Sequence, residues 1–289
     1  MFQDGAGAAL IRTLQELMPE STTLIAHLRH VAGGSDSVYA PPRQGDGRSD
    51  DAWRCEGLAK AQLHEIHAED AACAAGFAIA LALAAGATPI LWLRSEAAER
   101  QGGRLHATGL VEMGLAPDRL VLALVADDAA LLRAAADGAR CAGLGTLVVE
   151  AWGRCPGIDL TATRRLMLAA ERSGVTVLML RVGGQPVPSA AATRWGVAAV
   201  PSIPLDAGAP GLPAFDIELQ RRRGGPSGRR WRVEWNRDAC RFDTAPDIPL
   251  PDILAPDIRE DTPALSGAGL SLAGGGAAAQ RPPASVRRA

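Results

Sequence analysis

The sequence predicts an α/β domain of three layers: a mostly parallel sheet with helices on both faces, closed by a C-terminal antiparallel hairpin. Three observations predict it. Short apolar runs alternate with helical segments of about 12 residues, the rhythm of βαβ units. These runs are apolar throughout rather than alternating, as strands covered on both faces are. Finally, residues 215–221 and 230–235 alternate in a two-residue period around Gly224-Gly225-Pro226-Ser227-Gly228, which is the pattern of two antiparallel strands and their turn.

The elements follow in order. Residues 63–67 read as the first strand. Residues 72–85 read as an apolar helix that Gly86 ends as a C-terminal glycine. Strands are predicted over 89–93, 120–125, 146–150 and 175–180. Between them, residues 109–114 close a helix and Pro117 opens the next turn. Asp127 or Asp128 caps a helix to about 140, and Asp159 or Thr161 caps one through 172 that Gly174 terminates. After Val182 the pattern changes to a Gly/Pro loop over 183–189, a strand over 193–200, and the hairpin. Upstream, Leu10, Ile11, Leu14, Leu17, Leu24, Ile25, Leu28 and Val31 keep helical spacing, interrupted at Pro19. The expected organisation is a helical arm over 1–32, a flexible linker over 33–54, the core over 55–242 and a disordered Pro/Ala/Gly-rich tail over 243–289. Within that tail Pro-Asp-Ile recurs, starting at Pro246, Pro251 and Pro256.

A chain of 289 residues that is 47% hydrophobic can bury a sizeable core. Its net charge of −2 creates no global field that would draw nucleic acid or membrane. The cysteines, Cys55, Cys73, Cys141, Cys155 and Cys240, form no C-x-x-C pair, which argues against a metal site or a disulfide framework and for reduced, mostly buried thiols. The start lacks the apolar run of a signal peptide, and Gly86, Thr88 and Pro89 interrupt the longest apolar stretch before it reaches bilayer-spanning length. A soluble, cytoplasmic protein is expected.

The junction of the first strand and helix carries the most chemical information. Strand, tight loop, helix is the layout of a phosphate-binding loop, G-x-x-x-x-G-K-[ST], whose glycines aim backbone N–H groups at phosphate while a Lys and a hydroxyl meet the γ-phosphate and Mg²⁺. Here the glycine positions hold Ala68 and Cys73, the lysine position Ala74 and the hydroxyl position Ala75. The stretch reads as a loop that keeps its length and loses every ligand. Lys60, the only lysine in the chain, lies before the strand. Glu69 and Asp70 place two carboxylates where phosphate would sit. No ATP hydrolysis, catalytic residue, cofactor or metal is expected. Glu150, ending an apolar strand, reads as a capped or Arg-paired acid, and Glu96 as a solvated acid at a helix start. His64 and His67 are three apart on a strand and point to opposite faces, so they cannot easily share a metal.

The hairpin is basic. Arg221, Arg222, Arg223, Arg229, Arg230, Arg232, Arg237 and Arg241 cluster around it, interleaved with Trp231 and Trp235. Arginine with aromatics suits phosphate contact and base stacking, and equally a protein interface. Trp231 and Trp235 share parity with Val233, so a third reading has both rings facing the sheet core. Arg164, Arg165 and Arg172 lie on one helix, where Arg165 and Arg172 share a solvated or partner-facing surface.

From about residue 58 to 242 the order of elements resembles the RecA core. The degenerate loop sits at the Walker A place, Leu147-Val148-Val149-Glu150 at the Walker B strand, and the hairpin where RecA closes its sheet. Four stretches are similar to the ImuA family, accessory proteins of bacterial damage-induced mutagenesis. They are Leu63-His64-Glu65-Ile66, Leu160-Thr161-Ala162-Thr163-Arg164-Arg165-Leu166, Ala169-Ala170-Glu171-Arg172, and Pro188-Ser189-Ala190-Ala191-Ala192-Thr193-Arg194-Trp195. Gly196 departs from the pattern, which has a basic residue there. The resemblance implies a non-enzymatic accessory protein of SOS-induced, error-prone translesion DNA synthesis. Its implied partners are an ImuB-type relative of Y-family polymerases, an error-prone C-family DNA polymerase through that complex, and RecA itself. A more distant similarity to SulA implies the alternative of a cell-division inhibitor binding FtsZ. A third alternative is a RecA paralogue that binds single-stranded DNA.

Overall fold

A strand paired on both edges and covered on both faces has no place for a solvated side chain, and the central strands obey this. A computed structural model describes residues 58–245. The expected arm, the linker, Cys55 and all but the first three residues of the expected tail lie outside them. The strands are β1 (Leu63–Ala68), β2 (Ile90–Ser95), β3 (Leu120–Val125), β4 (Thr146–Trp152), β5 (Thr176–Val182), β6 (Thr193–Ala199), β7 (Ala214–Arg222), β8 (Arg229–Asn236) and β9 (Arg241–Thr244). They form one sheet in the order β3-β2-β4-β5-β1-β6-β7-β8-β9. Pairing is parallel from β3 across to β6 and antiparallel from β6 to β9. The α/β class, the mostly parallel sheet and the C-terminal antiparallel hairpin are those predicted.

The helices are α1 (Ala71–Ala84), α2 (Glu96–Gly102), α3 (Ala107–Glu112), α4 (Asp128–Gly138) and α5 (Leu160–Ser173). Alternate residues of each strand feed two separate cores. On one face Leu63, Leu93, Val149 and Met179 pack with Leu131 of α4 and Leu166 of α5. On the other, Ile66, Val148, Leu180 and Trp195 pack with Phe77 and Ile79 of α1. There Phe77 sits 5.5 Å from Phe215 and 5.6 Å from Phe242, ring centre to ring centre, which ties α1 to the antiparallel end of the sheet.

The caps resolve the alternatives left by sequence. The carboxylate of Asp127 accepts from the amide of Ala130 and that of Asp159 from Ala162, each at 2.7 Å. Gly174 takes the left-handed conformation, φ 87°, that ends α5. One boundary is corrected. The ordered core does not stop at 242, because Asp243 and Thr244 belong to β9 opposite Glu234 and Val233, and the amide of Ala245 donates to Arg232. The strand is too short to show a period. The tail-like composition begins only at Pro246, which has no N–H to offer the ladder. No helix among the described residues is long and apolar enough to cross a membrane.

Candidate functional site

β1 ends at Ala68 and α1 begins at Ala71, so only Glu69 and Asp70 connect them. A phosphate cradle needs successive amides facing outward from a non-helical loop. Here Asp70 is the N-cap, its Oδ1 accepting from the amide of Cys73 at 2.7 Å, while the amide of Ala74 donates to the carbonyl of Asp70 at 3.1 Å. The expectation of a loop with its length preserved is therefore corrected: positions 71–75 are helix. Alanine is the strongest helix former, and no glycine remains to hold the turn open. Of the predicted positions, Ala74 is wholly enclosed, whereas Cys73 and Ala75 border a cavity of about 560 Å³ that Arg94 and Glu150 also line. Ala68, Cys73 and Ala74 are buried in the core beneath α1, and Ala75 is half-buried. Burial, with the Asp70 charge, pushes the Cys73 thiol up to about 12, leaving it inert. Lys60 sits exposed before β1, at the end of that strand remote from the turn.

Glu150 is equally occupied. The indole nitrogen of Trp92 donates to its Oε2 at 2.8 Å, that of Trp152 to its Oε1 at 2.7 Å, and the Arg94 guanidinium lies 3.1 Å from Oε1. Arg94 also donates to the carbonyls of Gly103 and Ala98. Both charges are nearly inaccessible, at 2% and 4% exposure. The pairing with an arginine is as read from sequence. That Arg94 is the partner depends on β2 lying next to β4, in a register that puts Arg94 beside Glu150. The Trp152 ring rests on Gly102, where a Cβ would come within 2.3 Å of it. Glu96 is exposed at the start of α2, as expected.

Two further polar groupings surround β1. On the α1 face, the Trp195 indole donates to Thr193 Oγ1 at 2.8 Å, Thr193 Oγ1 lies 2.7 Å from His64 Nδ1, and His64 Nε2 lies 2.9 Å from the Ala59 carbonyl. A carbonyl only accepts, so Nε2 carries the proton and Nδ1 accepts from the Thr193 hydroxyl. Burial lowers the His64 pKa to about 4, partly offset by the Ala59 bond. On the α5 face, Arg194 Nε donates to Glu65 Oε2 at 2.8 Å, and His67 Nε2 stands 3.9 Å from the same oxygen. Burial tends to raise the Glu65 pKa, but His67 and Arg194 outweigh it and hold the carboxyl below its usual value. Opposite His67 in register, Arg181 is 2% exposed, and its Nε and Nη1 have no hydrogen-bond partner among the described residues. Among the described residues no group of three or more His, Cys, Asp or Glu is placed to hold a metal.

The hairpin arginines do not form one patch. Trp235 is fully buried against Phe242, 5.1 Å between ring centres, with its indole donating to the Met113 carbonyl. As an interface candidate it is corrected: parity put it in the core. Trp231 is half-buried, 6.0 Å from the Trp195 ring, with the Arg229 guanidinium 4.9 Å over it. A register shift between Arg194 and Trp195 places Arg221 opposite Arg194, and its guanidinium donates inward to the Ala191 carbonyl at 2.7 Å. Arg230 is drawn to Asp216 at 3.3 Å and Arg241 to Asp243 at 2.7 Å, while Arg232 is half-buried. Arg222, Arg223 and Arg229 remain exposed at the tip, Arg223 reaching Met167 Sδ at 3.1 Å. Arg164 and Arg165 are exposed on α5, as read from the helix spacing.

No family model and no curated protein matches the chain. Among solved structures it is similar to the crystal structure of the RadB recombinase at 15% identity, with a TM-score of 0.46, over 63% of this chain and 91% of that one. So slight a likeness carries no function across.

Proposed function

We propose that this protein is a non-hydrolysing RecA-like accessory body in damage-induced, error-prone translesion synthesis. Its proposed direct partner is an ImuB-type Y-family polymerase relative, with a C-family polymerase joined through that complex and RecA as a further contact. One observation carries the non-enzymatic part: the β1–α1 turn is capped by its own Asp70 carboxylate, on the amide of Cys73. Phosphoryl transfer in such folds is almost entirely positioning and charge stabilisation, and a cradle filled by a carboxylate supplies neither. Glu150 is already charge-compensated by Arg94 and hydrogen-bonded by Trp92 and Trp152, so a Mg²⁺ ion would have to compete with all three.

The family-level part is supported by how the resembling stretches meet. Arg194 of the fourth stretch pairs with Glu65 of the first, Thr193 bonds His64, and the amide of Ala190 donates to Thr163 of the second at 3.1 Å. Residues far apart in sequence thus form one structural unit. Affinity purification from DNA-damaged cells, with calorimetry of the purified chain against Mg·ATP, tests the reading. Co-elution of a polymerase-like protein and no saturable nucleotide binding are expected. Turnover of ATP, or co-elution of neither a polymerase-like protein nor RecA, overturns it. The exposed Arg222, Arg223 and Arg229, with Arg229 over Trp231, favour single-stranded DNA contact as a second reading. No described residue favours the FtsZ-binding alternative.

A further inference from the structure

The outer face of α5 is unusual for a solvated helix. Arg165 and Arg172 stand seven residues apart with Leu168 between them, all three exposed, Leu168 at 39%. With Arg140, at the end of α4, they line a depression of about 420 Å³ whose floor is Leu168, Ala169 and Ala142. Arg140 is anchored there by Asp137 at 3.2 Å and by the carbonyl of Ala136. Among the described residues neither Arg165 nor Arg172 has a hydrogen-bond or ion-pair partner. Leu160, a little over two turns from Leu168 toward the helix start, is also exposed at 52%.

We propose that this face is the docking surface for an acidic, amphipathic segment of a partner protein, an apolar side chain seated over Leu168 and carboxylates reaching Arg165, Arg172 and Arg140. Charge complementarity selects the occupant. Three guanidinium groups surround an apolar floor, and no carboxylate lines the depression. Arginine is suited to two-point carboxylate recognition and enriched at binding hot spots. An exposed leucine at the centre of the positive ring gains nothing from a phosphate backbone and something from an apolar side chain. The inference deepens the accessory reading above and rests on it only in requiring a protein partner.

The test titrates the full chain with a synthetic amphipathic helix of leucine and glutamate, and in parallel with an oligothymidylate strand, following backbone amide shifts. Peptide-induced shifts confined to α5 and residues 139–142 are expected. The double variant Arg165→Ala, Arg172→Ala weakens the peptide about tenfold, which is about 1.4 kcal/mol. Leu168→Asp weakens it comparably. Shifts elsewhere, or indifference to Leu168→Asp, overturn the proposal. So does tighter binding of the oligonucleotide on the same face, which would make it a phosphate surface. A second arm repeats the affinity purification with Leu168→Asp. Loss of the co-eluting partner supports the surface, and its retention overturns the surface while leaving the accessory reading standing.

Discussion

Asp70 takes the amide that a phosphate oxygen would need, and Ala74 points its methyl group into the core rather than toward the turn. Replacing the missing lysine therefore does not rebuild a nucleotide site. Ala74→Lys forces a long cation into a packed interior and is expected to destabilise by about 3 kcal/mol or more, read from the urea midpoint, with no ATP turnover. Asp70→Ala removes only a cap, at about 1 kcal/mol. His64 supplies a pH test. Its folded pKa, about 4, lies below its ordinary 6.5, so the unfolded chain binds a proton that the folded chain refuses. The stability is fully present above pH 6.5 and falls as pH drops toward 4, by roughly 3 kcal/mol in all. Glu65, whose pKa is also lowered from its usual 4.5, adds its own loss only at the acid end of that range and below. A His64→Gln variant should lose the slope between pH 6.5 and 5, and persistence of that slope would assign it elsewhere. Arg181 is a buried cation with two unpartnered nitrogens. Arg181→Met is expected to raise stability by about 1 kcal/mol, since an unpaired buried charge costs more than an apolar side chain of similar length. A loss of that size would reveal a partner.

At the scale of elements, the β7–β8 hairpin turns one composition into three environments. Trp235 completes the core, Arg221 turns inward to the Ala191 carbonyl, Arg230 and Arg241 pair with acids at the surface, and Arg222, Arg223 and Arg229 stand exposed at the tip. Changing those three to alanine should leave unfolding free energy within about 0.5 kcal/mol per site. Retention on single-stranded DNA columns, if that second reading holds, should fall and lose its steep salt dependence. Retention unchanged by the substitutions would remove the hairpin from nucleic-acid contact. α1 differs from α4 and α5 in having no polar side chain in its fourteen residues. Its residues from Phe77 to Ala82 are all buried, Phe77 against Phe215 and Phe242 of the sheet, so this stretch presents no solvated face that a polar side chain would fill.

For the whole molecule, a ligand that binds only the folded state stabilises it in proportion to the logarithm of its excess over the dissociation constant, about 2.7 kcal/mol at a hundredfold excess. With the turn capped and Glu150 locked, millimolar Mg·ATP should not move the thermal midpoint; a saturable upward shift would contradict the closed turn. Much of this architecture was legible beforehand. Strand and helix order, the caps at Asp127 and Asp159, Gly174, and the pairing of Glu150 with an arginine all follow from apolar runs, cap chemistry and the cost of a lone buried charge. Three things were not: the length of the β1–α1 turn, the inclusion of Asp243 and Thr244 in β9, and the dispersal of the hairpin arginines. In each, local composition was overruled by a contact: Asp70 with the Cys73 amide, β9 with β8, Arg221 with the loop carbonyl of Ala191.

By itself the chain of residues determined which segments are buried on both faces, and that residues 68–75 carry no glycine, lysine or hydroxyl, because both are properties of composition and period. Only the tertiary structure decided that Arg94 meets Glu150, that three resembling stretches join around β1, and that Leu168 lies inside a ring of arginines. Periodicity assigns a side chain to a face of its own element; which neighbour occupies that face depends on strand order and register, and these are set by the packing of the whole sheet.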